Sequence, residues 1–240
     1  MTDKNHKLPR LHVTEPLKPD HTISFSPEQA HYLKNVLRQK EGDHFRAFNG
    51  QDGEWLLKIT DLPKKSGSAF CQEQIRQQPP ASDLTHLLFA PIKKARMDFL
   101  IEKAVELGAT HLHPVLTDHT EVRKINDSRI YAQMIEAAEQ CERMDIPSLE
   151  PLVSLSEALQ KITSDMQVLA GIERDKNAPY IGEIEITHPI ATLIGPEGGF
   201  SEDEIRLLTS TQNVTPVSLG QNILRAETAA VKILSYIAKS

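Results

Sequence analysis

Two short stretches toward the C-terminal end carry the residue types that could do chemistry. The first is Ile194-Gly195-Pro196-Glu197-Gly198-Gly199-Phe200-Ser201, and the second is Leu219-Gly220-Gln221-Asn222-Ile223-Leu224-Arg225-Ala226-Glu227-Thr228-Ala229-Ala230. In the first, Pro196 fixes one φ angle, while Gly195, Gly198 and Gly199 permit positive φ and close approach of a ligand to the backbone. In the second, Ile223, Leu224 and Arg225 occupy a loop where solvent alone favours neither the two apolar residues nor their arrangement. Packing of Ile223 and Leu224 on a flat apolar group, such as an adenine ring, accounts for the pair. Arg225 stands at a helix start, where a cation opposes the positive end of the dipole, and such a conflict with a local rule is expected where a residue serves function. A tight strand-to-helix turn with no ligand is the bland alternative for the first stretch taken alone.

The elements that position these loops can be read from periodicity. Ile190–Ile194 is an apolar run of the length and β-branched content of a buried strand. Ser201 followed by Glu204 is a capping-box pattern, so a helix is expected through Ile205, Leu207 and Leu208. Val214 to Leu219 reads as a second strand, ended by Gly220, and Ala226 to Ala238 as a C-terminal helix. Upstream, Leu84 to Ala90, Asp98 to Leu107, His111 to Val115, Arg129 to Glu142 and Gln167 to Gly171 alternate strand with helix, which predicts an α/β domain with a mostly parallel sheet. Before about residue 75 the pattern differs. Thr22–Phe25, Trp55–Thr60 and Ser68–Gln72 are short alternating runs divided by Asn49-Gly50, Asp52-Gly53 and Ser66-Gly67, which predicts a small, mostly antiparallel β unit. The expected organisation is therefore 1–75, a linker over 76–80 around Pro79-Pro80, and 81–240.

A chain of 240 residues has ample length to bury a core. Residues 1 to 80 hold 12 Lys+Arg against 10 Asp+Glu, and the rest 15 against 23, so a total of -6 divides into +2 and -8. Any anionic partner must therefore be met by local patches rather than by a global field. Candidates are Lys93, Lys94 and Arg96, then Arg123 with Lys124, and Arg10 with Arg38; a solvated charged face is the alternative for each. Cys71 and Cys141 lie far apart with no paired spacing, and no apolar stretch resembles a leader or a membrane span, so a cytoplasmic protein is expected. His111 and His113 would share one face of a strand, but no Cys or second His cluster completes a metal site, and no metal is expected.

The two C-terminal stretches resemble the cofactor loops of the SPOUT class of S-adenosylmethionine-dependent RNA methyltransferases. They are most similar to the RsmE family, which methylates N3 of a uridine in 16S ribosomal RNA. Further matching stretches are His31–Arg38 with Gly42-Asp43, Arg96–Ala109 and Glu136–Arg143, so the resemblance spans most of the chain. It implies a PUA-like β-barrel before the linker, a deep trefoil knot in the C-terminal domain, and a homodimer with the cofactor loops near the subunit interface. The 30S subunit is the implied substrate and S-adenosylmethionine the implied cofactor. A departure lies at Thr117–Arg123, where the family carries a more polar Ser/Arg-rich segment, and Glu173–Thr187 carries no motif.

Placing the family's contacts on this chain assigns Leu169, Ala170, Gly171, Ile194, Gly195, Glu197, Gly199, Leu219, Gly220, Ile223, Leu224 and Thr228 to the cofactor. N3 of uridine is a poor nucleophile until its imide proton leaves and the charge spreads onto O2 and O4, so a cation or hydrogen-bond donors near the carbonyls and a route for the proton are required. Arg225 is the first choice for that role, with a ribose or phosphate contact or an ion pair to Glu227 as the alternatives. Glu197 is a candidate base that could equally cap a helix or bind ribose. Arg143, at the expected end of a helix, and Arg38 join the RNA-facing set. Two rival readings remain: a nucleotide-binding enzyme using Gly195–Gly199 as a phosphate loop, although no GxGxxG opens an early βαβ unit, and a non-catalytic RNA-binding or ribosome-assembly protein. The same loops would also serve a SPOUT enzyme acting on another RNA.

Overall fold

Largely antiparallel pairing builds the first unit, and parallel strands of near-continuous burial build the second. The computed structural model describes residues 5–64, 66–162, 164–172 and 178–238. The chain divides into two units, Met1–Ala81 with Ala138–Ile146, and Ser82–Ala137 with Pro147–Ser240.

In the first unit, β1 (Arg10–His12), β2 (Thr22–Ser24), β3 (His44–Phe48), β4 (Glu54–Asp61) and β5 (Ser68–Arg76) form one sheet in the order β1-β3-β4-β5-β2. Only β1 and β3 pair in parallel. The short helix α1 (Pro27–His31) starts on a Ser26 capping box and runs into a π-helical turn, Tyr32–Val36. Phe45, Leu57, Ile59, Ile23 and Leu33 fill the core. Gly53 has no alternative residue: it sits at φ +77°, and a Cβ there would stand 2.3 Å from the Arg76 carbonyl oxygen.

Residues 138–146, which the 81–240 boundary would place in the C-terminal domain, group with this first unit because an ion cluster holds them there. Glu54 is fully buried and accepts from Arg10 Nε at 2.5 Å, with Arg46 at 3.6 Å and Arg76 at 3.5 Å. The Arg10 guanidinium lies 3.8 Å from the Phe48 ring centroid and donates to the carbonyls of Ala138 (2.7 Å) and Arg143 (2.9 Å). Arg46 reaches Glu142 at 2.8 Å, and Glu142 adopts φ +62° to make the turn.

The second unit follows the expected α/β alternation. Its elements are β6 (Thr85–Phe89), α2 (Lys94–Glu106), β7 (His111–Leu116), α3 (Asp127–Gln140), β8 (Ser148–Leu149), β9 (Val153–Ser154), α4 (Leu155–Lys161), β10 (Gln167–Gly171), β11 (Ile190–Ile194), α5 (Glu202–Ser210), β12 (Val214–Val217) and α6 (Ala226–Ile237). The last turn of α3 falls in the first unit. The parallel sheet runs β12-β10-β11-β6-β7-β8, with β9 pairing β7 off that path. Every residue of β11 is buried, as expected of a central strand covered on both faces. Gly171 is level with both Ile194 and Val217, so the C-terminal ends of β10, β11 and β12 open together on one edge. That edge is where an open parallel sheet accommodates ligands. Packing of α6 against α2 and β11 buries Ala226, Ala230, Ile233, Leu234 and Ile237. No helix among the described residues is long and apolar enough to cross a membrane.

Candidate active site

Three loops leaving β10, β11 and β12 enclose a cavity of ≈ 950 Å³ within the second unit. Its walls are Gly171 and Ile172, then Ile194 to Phe200, then Val217 to Leu224, with Ala226 and Ala229 of α6 behind. The volume lies in the range of small-molecule and cofactor sites.

Each glycine of the first loop is there for its own reason. Gly199 alone of the three adopts positive φ, at +71°, and its N–H closes a turn by donating to the Pro196 carbonyl at 2.9 Å. A Cβ there would meet nothing within 4 Å. Gly195 and Gly198 are closely approached by side chains instead. A Cβ on Gly195 would stand 2.9 Å from Phe200 Cζ, and one on Gly198 would stand 3.1 Å from His119 Cβ. Phe200 thus presents the end of its ring to Gly195 as part of the cavity wall. The loop ends on Ser201, which caps α5 together with Glu204 in a reciprocal capping box.

Of the expected cofactor residues, Gly171, Ile194, Gly195, Glu197, Gly199, Leu219, Gly220, Ile223 and Leu224 line the cavity. Leu169 and Ala170 do not: they are fully buried inside β10, between β11 and β12, and the strand meets the cavity only at its end, through Gly171 and Ile172. Thr228 is exposed and lies outside the lining. Ile223 presents an unusually large apolar surface for a loop residue, with 60% of it exposed. Phe200, Ile205 and Ile172 also line the cavity but were not anticipated. Phe200 sits in the glycine stretch itself, so its aromatic character was the available signal.

Arg225 is the N-cap residue of α6, is exposed, and makes no side-chain capping bond. It follows the lining directly but is not part of it. The ion pair to Glu227 considered from the sequence is not among the contacts: Glu227 is buried, and its Oε2 has no hydrogen-bond partner. Glu197, at the cavity, instead forms an ion pair with Arg96 at 2.5 Å. It caps no helix, because Ser201 and Glu204 do that.

The basic candidates divide sharply. Arg38, at φ +56°, Lys94 and Arg123 are exposed, and Lys93 is exposed in a solvated pair with Glu121 at 3.0 Å. Arg96 is half-buried on Glu197. Arg10 is buried in the Glu54 cluster, where its donors are committed to Glu54 and two carbonyls, so it presents no free face to a nucleic acid. Arg143 is largely covered and paired with Asp145 at 2.7 Å.

His111 and His113 share one face of β7, as the alternation requires, and His86 of β6 joins them. His113 Nε2 lies 3.0 Å from His86 Nδ1, and the rings stack with centroids 4.2 to 6.2 Å apart. Burial, then His111, push His86 down to about 4; burial, then His86, His111 and Lys161, push His113 down to about 3. Among the described residues, no group of three or more His, Cys, Asp or Glu side chains, these histidines included, is arranged to hold a metal ion.

A profile described as RNA methyltransferase domain matches residues 79–238, and one described as RNA methyltransferase PUA domain matches residues 25–69. The ribosomal RNA small subunit methyltransferase E of Rickettsia conorii is 36% identical over 233 residues, covering 96% of this chain and 95% of that protein. A ribosomal RNA small subunit methyltransferase E from Neisseria gonorrhoeae, solved bound to S-adenosyl methionine, is 28% identical with a TM-score of 0.85, covering 95% of each chain. A methyltransferase from Legionella pneumophila, solved with its cofactor SAM, is 29% identical with a TM-score of 0.87 and covers 96% of this chain and 97% of that one. On the strength of a profile spanning most of its length and a relative aligned nearly end to end, the chain belongs to the ribosomal RNA small subunit methyltransferase E family.

Proposed function

We propose that the protein uses S-adenosylmethionine to methylate N3 of one uridine in 16S ribosomal RNA, acting on the assembled 30S subunit in the cytoplasm. The observation that carries the reading is the cavity, where the backbone of Gly195–Gly199 and Leu219–Gly220 meets the apolar side chains of Ile223, Leu224 and Phe200. Those surfaces fit an adenosyl group: apolar walls for a ring, a glycine backbone that a ligand can approach, and open space where a Cβ on Gly199 would project. Bound there, the cofactor supplies an electrophilic methyl group on a sulfonium sulfur.

The remaining work falls to side chains. The uridine N3 proton must leave, and the resulting charge on O2 and O4 must be held by a fixed cation or by hydrogen-bond donors. Arg225 suits this, because it adjoins the cavity lining and its guanidinium is exposed and uncommitted to its own helix. Arg38, Lys93, Lys94 and Arg123 are the exposed cations available to RNA phosphates, and contacts of this kind make binding salt-sensitive. The trefoil knot and the homodimer belong to the same reading.

The test is transfer of labelled methyl from S-adenosylmethionine to 30S subunits lacking the modification, with free 16S RNA in parallel and the product nucleoside mapped. Label as 3-methyluridine at one site, with 30S preferred, is expected. Label at another base or only on another RNA would overturn the substrate. Arg225→Ala should keep cofactor affinity and lose transfer; unchanged turnover removes Arg225 from the mechanism.

A further inference from the structure

The glycine loop is gripped from a segment that belongs to no element of the sheet. Directly after β7, Thr117 to Thr120 folds into a tight turn: Thr120 Oγ1 accepts from Thr117 N at 2.9 Å, the two hydroxyls meet at 2.8 Å, and Thr120 N donates to the Thr117 carbonyl at 3.1 Å. Both threonines are buried, which leaves Asp118 and His119 projecting from the turn. Asp118 is tied twice to the start of α5. Its N–H donates to Glu204 Oε1 at 2.9 Å, and its Oδ2 accepts from Ser201 Oγ at 2.5 Å. Glu204 is buried and bridges the two segments, its Oε2 accepting from Ser201 N at 2.9 Å.

His119 completes the grip. Its Nδ1 lies 3.1 Å from the Gly199 carbonyl, and because a carbonyl oxygen only accepts, Nδ1 carries the proton. The same residue packs its Cβ against Gly198, where an added Cβ would stand 3.1 Å from it and press the two segments apart by a few tenths of an ångström. The loop is therefore held at Gly198, Gly199 and Ser201 by one short turn.

We infer that Thr117–Thr120 is a clasp that sets the shape of the cofactor loop, with His119 as its positioning residue. The inference rests on the cofactor reading above for its consequence, and on the contacts alone for its existence. A loop rich in glycine samples many backbone conformations, so an external clamp lowers the ordering cost of ligand binding. One net hydrogen bond of about 1 kcal/mol corresponds to roughly a fivefold change in affinity.

The test uses the full chain carrying His119→Ala or His119→Asn, whose amide nitrogen replaces the Nδ1–H donor. Amide exchange over residues 197–202 should rise in His119→Ala and return toward the parent rate in His119→Asn, a readout that needs no cofactor. The dissociation constant for S-adenosylmethionine should rise roughly fivefold in His119→Ala and recover in His119→Asn, with the melting temperature moving little in either. Unchanged exchange in His119→Ala overturns the clasp, and so does an asparagine variant that behaves like alanine. Changed exchange with no cofactor binding even by the parent would leave the clasp standing and sink the cofactor reading instead.

Discussion

Acidification should destabilise the second unit through His86 and His113 before its carboxylates begin to protonate. Both folded-state values lie below the unfolded one, at about 4 and about 3, so the unfolded chain binds protons first. Stability is complete above the unfolded value near 6.5 and is lost as pH falls from there toward 4. Each independent group contributes a slope of up to about 1.4 kcal/mol per pH unit, so two groups followed to pH 4.5 give an upper bound of about 5 kcal/mol. Solvent reaching His86, and the direct contact that makes the two protonations interdependent, reduce this to about 2–3 kcal/mol. The assay is urea unfolding at half-unit steps from pH 7.5 to 4.5, on the parent and on a His86→Gln/His113→Gln variant. The absolute stability of the variant is immaterial; its slope should be flatter by about 1 kcal/mol per pH unit or more. His12, also lowered by burial and then by Arg10, adds a slope of the same sign that both proteins share. Glu142, held low by Arg46, contributes stability that disappears only below the ordinary carboxylate value of 4.5. Parallel slopes in parent and variant would refute the reasoning.

Other outcomes follow from single contacts. Gly195→Ala must displace the Phe200 ring from a 2.9 Å contact, at an overpacking cost of about 1–3 kcal/mol, and should weaken cofactor binding at least tenfold by calorimetry. Gly199→Ala meets no atom and costs only the strain of φ +71°, about 1 kcal/mol, so it should lower the melting temperature slightly and affect cofactor binding less than Gly195→Ala does. Glu54→Gln leaves Arg10, Arg46 and Arg76 without their buried anion; a loss of about 3–5 kcal/mol is expected in thermal or denaturant unfolding of the first unit.

What the sequence revealed and what it hid have physical reasons. β10 and β11 occupy the residues expected of them because each is a short apolar run bounded by turn residues, a signal that is entirely local. The start of α5 was equally local, written in Ser201 and Glu204. The three-residue β1 gains its place by pairing with β3 some 36 residues on, and nothing in its own three side chains announces that. α4 was missed because seven residues hold barely two turns of periodicity, although its Ser154–Glu157 capping box was legible.

For the site, glycine spacing pointed to the loops that line the cavity, but not to the side chains that crowd two of the glycines. Gly195 and Gly198 answer to Phe200 and His119, and the second of these lies 79 positions away. Charge was the least transferable signal. Arg10 looked like a candidate for an anionic surface because its counter-ion, Glu54, is 44 residues distant in sequence and fully buried. Leu169 and Ala170 were drawn into the cofactor set by proximity to Gly171, whereas a central parallel strand opens on a ligand only at its end.

If S-adenosylmethionine binds as proposed, it occupies the cavity formed by the loops after β10, β11 and β12. Ultraviolet crosslinking of labelled S-adenosylmethionine to the full chain, followed by peptide mapping, tests it most directly. The account predicts label confined to peptides spanning residues 190–206 and 214–229, competed away by unlabelled cofactor and reduced in Gly195→Ala. Competable label elsewhere in the chain, or no saturable crosslink at all, would contradict it.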